Sequence, residues 1–396
     1  MLLKHCLFLS TTLFNSILTA RILCIYPVPF ESHQSVLRIF TEELAARGHQ
    51  LVVLTPKPHE KPPQNITEID VQNLTYTKWD EAYTKMMENQ KKFAMDPVDF
   101  WSMIYEGIYK VFDAQLSTPA MQALISDKTQ QFDLIMAEAC IHPAIILGAR
   151  FKAPIVLASS FFGDADNYYT IGADMNPIYF PDYNVDKKAF QSIWDKLQVL
   201  HLSTRLRLMK WKAEITENAM IKKHFGEKAP TMAELKKNVQ MLILNTHHLW
   251  DHNRPVPPSV IYLGALHLNK PNTLPKDLKK FLDDSRNGVI YLSLGSKIRS
   301  SDLPSKTLRV IKNVFASLDY DVIWKWNSDY MTDKPKNVHL ETWLPQNDLL
   351  NHPKLKVFIT HAGLQSTDEA IAAHVPLIGL PVFADQTFFC NLYYYN

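Results

Sequence analysis

The sequence predicts an α/β protein of two Rossmann-like, doubly wound domains facing a central ligand cleft. Three observations predict it. A strand–helix–strand unit opens at residue 21, a second α/β series opens at Val289, and a polar, proline-bearing stretch at 264–276 separates them. Composition agrees. A chain of 396 residues, 46% hydrophobic and 21% charged, can bury two separate cores. A net charge of +2 points away from nucleic acid and from strongly acidic partners.

Residues 1–20 come first. Lys4 and His5 precede a mostly apolar run from Cys6 to Leu18, and Thr19-Ala20 gives a small-residue exit. This reads as a cleaved signal peptide, with the secretory pathway and the endoplasmic reticulum lumen as destination. The run is too short and too rich in Ser and Thr to span a membrane. In a lumenal chain the Asn-x-Thr sequences at 65–67 and 73–75 make Asn65 and Asn73 glycosylation acceptors. Cys24, Cys140 and Cys390 are too widely spaced for a disulfide framework or a zinc pattern.

Residues 21–265 form the first domain. Arg21 to Tyr26 is an apolar strand that Pro27 and Pro29 break. Val36, Leu37, Phe40 and Leu44 then recur at helical spacing, Gly48 suits the stop, and Leu51 to Leu54 is the next strand. A strand, a helix and a strand in this length imply a parallel pair with a right-handed crossover. Phe132 to Ala137, Ala153 to Ala158 and Met241 to Leu244 continue the strands, and Pro119 to Ile125 and Pro143 to Phe151 are helical. Residues 187–226 are long, basic and amphipathic, read either as a solvated helix or as one lying on a membrane surface. After a linker at 266–276, the second domain runs over 277–396. It has strands at Val289 to Ser293, Asp321 to Trp326 and Val357 to Ile359, and a helix marked by Leu308, Ile311, Phe315 and Leu318. Neither domain has G-x-G-x-x-G after its first strand, and no P-loop sequence exists. That argues against a dehydrogenase and against a P-loop enzyme.

Chemistry concentrates in two places. In the second domain, strand Val357 to Ile359 ends at Thr360-His361-Ala362-Gly363, and a helix follows from Ser366 to Ala373. A helix N-terminus beside His361 and Ser366 suits an anion such as a diphosphate, and Gly363 lets backbone approach a ligand. Trp343 offers a flat face to a base, Glu369 carboxylate oxygens to a ribose, and Asp385 and Gln386 bonds to a sugar. In the first domain, His33 follows the first strand and Glu138 ends a neighbouring one, which places both on the C-terminal sheet edge. An imidazole with a carboxylate there is a general-base pair. Glu31 is the rival carboxylate. Phe161, Phe162, Tyr168, Tyr169, Tyr179 and Phe180 supply aromatic material for an acceptor pocket.

The stretch Trp343 to Gln386 resembles the signature box of the UDP-glycosyltransferase family, inverting enzymes of GT-B architecture. Trp343-Leu344-Pro345-Gln346, Thr360-His361, Gly363, Ser366-Thr367, Glu369-Ala370 and Asp385-Gln386 all fall at the family's spacing, and Gly288 to Ser296 and Gly264 to His267 agree. The likeness runs from Ile22 to Gln386 and looks closer to arthropod members than to vertebrate ones. It implies that Trp343 stacks on uracil, Gln346 bonds its edge and Glu369 takes the ribose. Ser296, His361, Gly363, Gln365 and Ser366 would surround the diphosphate, and Asp385 and Gln386 would hold the sugar. His33 matches the family's base. Glu138 stands where Asp is usual, and Ala362 where Gly is usual, a change expected to do little damage.

The resemblance implies transfer of a hexose from UDP onto a hydroxyl of a small lipophilic acceptor. UDP-glucose is the expected co-substrate, with UDP-glucuronic acid as the alternative. No D-x-D sequence lies at the donor site, so no metal and no other cofactor is expected. Family members continue beyond the equivalent of Asn396 through further helices, a membrane span and a basic tail. The second domain is therefore expected to be incomplete and the usual anchor to be missing. The alternative that follows is a truncated, weakly active or inactive lumenal form that binds UDP or pairs with full-length relatives.

Overall fold

The computed structural model describes residues 19–88, 96–173, 176–182, 185, 192–295, 299–328, 330–382 and 386–395. The signal-peptide reading, apart from Thr19 and Ala20, lies outside them, as do Ser296 and Asp385. The described residues divide into two compact units. One comprises those up to Asn176 together with Leu202–Gly264, the other Pro177–His201 together with Ala265 onward.

The first unit carries a wholly parallel sheet. Its strands are β1 (Arg21–Ile25), β2 (Gln50–Thr55), β3 (Ile66–Asp70), β4 (Leu134–Glu138), β5 (Ile155–Ser159), β6 (Val239–Leu244) and β7 (Val260–Tyr262), ordered β3-β2-β1-β4-β5-β6-β7. Helix α1 (Glu31–Ala46) crosses from β1 to β2, burying Val36 and Leu37 completely, about 1.5–3 kcal/mol of burial each. Helices α2 (Gln72–Glu88), α3 (Pro97–Leu116) and α4 (Pro119–Ser126) lead from β3 to β4. Asp96 and Thr118 cap α3 and α4, each followed by proline, a strong start signal. A 3₁₀ turn (His142–Ile145) and α5 (Ile146–Phe151) join β4 to β5; α6 (Ala165–Ile171), the long α7 (Ile193–Phe225), whose residues up to His201 group with the second unit, and α8 (Met232–Leu235) follow. The strands are apolar on both faces because helices cover a parallel sheet on both sides: Leu23, Ile25, Ile135 and Leu157 are buried on one face, and Ile22, Cys24 and Met136 on the other.

On α7, Leu206 and Met209 face the core, whereas Trp194, Leu197, Leu208, Trp211 and Ile215 are exposed. No helix among the described residues is long and apolar enough to cross a membrane.

The second unit repeats the scheme. Strands β8 (Val289–Ser293), β9 (Asp321–Lys325), β10 (Val338–Glu341), β11 (Leu355–Thr360) and β12 (Leu377–Gly379) are parallel in the order β10-β9-β8-β11-β12. Its helices are α9 (Lys276–Asp284), α10 (Ser305–Ala316), α11 (Gln346–Leu350), α12 (Leu364–Ala372) and α13 (Gln386–Tyr395). Both sheets reverse direction of winding beside their first strand, between β1 and β4 and between β8 and β11. Crossovers leave such points to opposite sides and open a crevice at the strand C-termini.

Candidate active site

In the first unit the crevice at β1 and β4 receives His33 and Glu138. Pro27 and Pro29 end β1 and allow α1 to begin at Glu31, whose charge suits the positive helix end. Helix α1 has no side-chain N-cap; the buried Gln34 amide instead ties its first turn to the loop before it and to β2. Its nitrogen donates to the carbonyls of Tyr26 (3.0 Å) and Val28 (2.9 Å), and its oxygen accepts from Thr55 Oγ1 at 3.0 Å. This fixes the first turn, and with it His33. His33 Nδ1 lies 2.5 Å from Glu138 Oε1, with the imidazole 14% and the carboxylate 1% exposed. Glu138 is the last residue of β4 and is buried. Glu31 instead pairs with Lys57, so it is not the partner of His33.

Aromatic rings flank the imidazole. Phe30 meets it edge-on at 5.2 Å, Phe161 lies at 5.3 Å, and Trp79 packs on Phe30 at 4.9 Å. The other aromatics expected around an acceptor scatter. Phe162 and Tyr168 are core, Tyr169 is exposed, and Tyr179 and Phe180 belong to the second unit. Cys140, two residues past Glu138, was invisible as a site residue in the sequence. Burial first, and then the Glu138 carboxylate, push its thiol well above its usual range. Asn167 is a further residue missed; its amide nitrogen donates to Ala139 O at 3.0 Å and lies 3.1 Å from His142 Nε2, holding the turn after Glu138.

In the second unit the crevice at β8 and β11 gathers Gly295, Lys325, Trp343, Gln346, His361, Gly363, Ser366 and Glu369. The His361 ring is gripped by two glycines. A Cβ built on Gly295 or on Gly363 would each stand 2.8 Å from its Nε2. Burial, reinforced by the Lys325 ammonium, lowers the His361 imidazole to about 4, so it is a neutral N–H donor at neutral pH. Lys325 ends the apolar strand β9, where a cation at a C-terminal strand edge was the available but unread signal. Its Nζ donates to Gly295 O at 3.2 Å and stands 4.7 Å from the Trp343 ring. Trp343 itself is 65% exposed and open to stacking.

Gln346, Ser366 and Glu369 form one bonded group. The Gln346 nitrogen donates to Ser366 Oγ (3.0 Å) and to Glu369 Oε2 (2.8 Å), while Tyr291 O–H donates to its oxygen at 3.1 Å. Burial raises the Glu369 carboxyl, and the Gln346 bond partly offsets that. Gly363 is the N-cap of α12, with φ −69° rather than a left-handed value. The residue in the left-handed region is Ala362, buried at φ +66°. That conformation costs an L residue about 1–2 kcal/mol, so the departure from Gly at 362 carries strain that the spacing alone did not reveal. The Gln365 carbonyl accepts from His267 Nε2 at 3.1 Å. Gln386 is buried, with Oε1 accepting from Val382 N at 2.8 Å.

The family described as "UDP-glucoronosyl and UDP-glucosyl transferase" matches residues 21–391. The chain belongs to this family. An ecdysteroid UDP-glucosyltransferase of Spodoptera littoralis nuclear polyhedrosis virus is 37% identical over 95% of this chain and 76% of its own length. The counterpart in Mamestra brassicae nuclear polyhedrosis virus is 35% identical over 97% and 75%. The UDP-glycosyltransferase UGT5 of Dactylopius coccus is 29% identical over 96% and 72%. These relatives are viral as well as animal, which corrects the specifically arthropod-like reading. Among solved structures, Medicago truncatula UGT71G1 complexed with UDP-glucose superposes with a TM-score of 0.55 at 16% identity, over 93% of this chain and 81% of that one. Arabidopsis thaliana UGT89C1 complexed with UDP-L-rhamnose gives 0.56 at 14% identity, over 94% and 82%. The fold is therefore GT-B, and the chain is a UDP-glycosyltransferase that uses UDP-sugar donors.

Proposed function

We propose that this UDP-glycosyltransferase moves glucose from UDP-glucose onto a hydroxyl of a small lipophilic acceptor of the ecdysteroid class, with inversion and with His33 as general base. The observation that carries the proposal is the 2.5 Å contact between His33 Nδ1 and the buried Glu138. With Nδ1–H donated to that carboxylate, Nε2 keeps its lone pair for the acceptor's hydroxyl proton. The freed oxygen attacks the anomeric carbon from the face opposite UDP. The bond from that carbon to the β-phosphate oxygen breaks, and its electron pair leaves on UDP. Glu138 stabilises the imidazolium that results.

On the donor side, Trp343 stacks on uracil, Gln346 bonds its edge and Glu369 takes the ribose hydroxyls. The α12 N-terminus, the His361 N–H and the Lys325 ammonium stabilise the leaving diphosphate, with Ser296, Gly363, Gln365 and Ser366 around it. Asp385 and Gln386 hold the sugar. The Phe30 and Phe161 rings beside His33 suit an apolar acceptor. The ecdysteroid class and the choice of glucose are supported by the names of the viral relatives. The endoplasmic reticulum lumen is the proposed site of action, a reading supported by the apolar run at 6–18 and by the Asn-x-Thr sequences at Asn65 and Asn73. Both asparagines are exposed, although Thr75 is buried and accepts from Gln115 Nε2 at 2.6 Å.

The test is a donor panel of UDP-glucose, UDP-glucuronic acid and UDP-galactose against ecdysone and simple phenols, with mass detection and NMR of the anomeric linkage. A β-glucoside of ecdysone is expected. A glucuronide overturns the donor assignment. UDP binding without any product favours the inactive binding form instead.

A further inference from the structure

One cluster at the first unit's crevice has more ligating power than proton transfer uses. His33 Nδ1, a Glu138 carboxylate oxygen and Cys140 Sγ all lie within 4.8 Å of one another. The second Glu138 oxygen, Oε2, is buried without a hydrogen-bond partner among the described residues. A carboxylate that is 1% exposed and half unsatisfied is costly, and the Cys140 thiol beside it is only a weak donor. The turn that makes this possible follows β4 directly. Ile141 N donates to Glu138 O at 3.0 Å, which brings Cys140 back beside the carboxylate.

We infer that His33, Glu138 and Cys140 form a binding site for a thiophilic divalent cation, Zn²⁺ or its spectroscopic substitute Co²⁺, and that occupation switches transfer off. Imidazole nitrogen, thiolate sulfur and carboxylate oxygen are the ligand set such ions take. Bond lengths of about 2.0–2.3 Å in a tetrahedron separate ligand atoms by about 3.3–3.6 Å, inside the reach of the cluster. The His33–Glu138 contact has to open from 2.5 Å, and any separation in the cluster that approaches its 4.8 Å limit has to close, both by side-chain rotation. Charge favours the exchange. One carboxylate and one thiolate neutralise the dication, so the buried site ends neutral.

Proton accounting gives the consequence. Cys140 releases its thiol proton to solvent. His33 can bind metal through Nδ1 only if its ring proton moves to Nε2. That tautomer has no lone pair at Nε2 for the acceptor's proton. Metal binding therefore disables the base without touching the donor site. The binding half of the inference stands on the cluster alone; the inhibitory half rests on His33 acting as base.

The experiment titrates the full, metal-free chain with Co²⁺ and follows the thiolate-to-cobalt charge-transfer band in the near ultraviolet. Zn²⁺ inhibition of transfer is measured in parallel, each protein against its own metal-free rate. The wild type is expected to show the band and to lose at least tenfold in rate at saturating Zn²⁺, with full recovery on chelation. C140A and C140S are each expected to lose both the band and the inhibition. X-ray absorption of the zinc-loaded wild type, which needs no variant, should show one sulfur and an imidazole. No band at saturating Co²⁺, a band that persists in both variants, or a zinc shell without sulfur overturns the site. A cobalt band that depends on Cys140 in a protein transferring no sugar leaves the site standing and removes the glucosyl-transfer reading.

Discussion

At the scale of single residues, the sharpest dependence is on the partner of His33. Glu138→Ala removes the charge that orients the ring and stabilises its cation, so turnover should fall by about 10²–10⁴-fold. UDP affinity, measured calorimetrically, should stay within about twofold, because the residues proposed to bind the donor belong to the other unit. Turnover that survives intact would show that some other group partners the base. The second residue-scale dependence is space rather than charge. Gly363 has an ordinary φ of −69°, so alanine there meets no backbone penalty. Its Cβ would still stand 2.8 Å from His361 Nε2, and Gly295 closes the opposite side of that ring. Gly363→Ala should therefore displace His361 and weaken UDP binding by about tenfold, roughly 1.4 kcal/mol. Unchanged UDP affinity in this variant would mean that the imidazole has no part in holding the diphosphate.

At the scale of elements, a buried polar network ties α3, α6 and α7 to the turn that carries Glu138. His142 Nδ1 faces Asp166 at 3.3 Å and Glu217 at 3.5 Å, Tyr109 O–H donates to Glu217, and Lys236 reaches Asp166 at 2.9 Å. Burial alone would raise the Glu217 carboxyl, but the bonds from His142 and Tyr109 outweigh it and hold the group below its usual range. Glu217→Ala strands a buried phenol and a buried imidazole and should cost about 3–5 kcal/mol in urea unfolding. Glu217→Gln keeps the shape and an acceptor and should cost less than half of that. Equal losses in the two variants would assign the effect to packing rather than to the network. Such a network was illegible in the sequence, because its members come from five separated segments and each alone looks like surface charge. Strands were the opposite case. The apolar runs of β1, β4, β8 and β11 were readable because a sheet covered on both faces needs unbroken hydrophobic stretches. The edge strands β3 and β12 were not, since Ile66–Asp70 is half polar and Leu377–Gly379 is only three residues long. The residues proposed to bind the donor were legible as a spaced pattern, whereas Lys325 and Cys140 are single residues whose surroundings arise only from which strands lie side by side.

At the scale of the whole molecule, the same winding appears twice, and each sheet places its functional side chains at its own reversal point. The second unit buries the His361 imidazole beside the Lys325 ammonium at its proposed anion site, and this has a consequence for stability. The imidazole of His361 is lowered from 6.5 in the unfolded chain to about 4 in the folded one, by burial and then by Lys325. Above pH 6.5 neither form of the ring carries a proton, and its contribution to stability is complete. As pH falls from 6.5 towards 4, the unfolded chain takes up a proton that the folded chain refuses, so stability declines through that window and levels off below it. The ring keeps some exposure, which makes about 3 kcal/mol the ceiling for the loss. Carboxylates titrate in the lower part of this range, so the measurement is a difference. Urea unfolding of the wild type and of His361→Gln is followed from pH 7.5 to pH 4. The stability gap between the two proteins should be constant down to about pH 6.5 and then shift in favour of the variant as acid is added. Saturating UDP should shrink that shift, because a bound diphosphate beside the ring raises its proton affinity in the folded state. Parallel curves for the two proteins across the whole range would show that His361 is not held neutral by the fold, and that the second unit meets its anion with a charged ring.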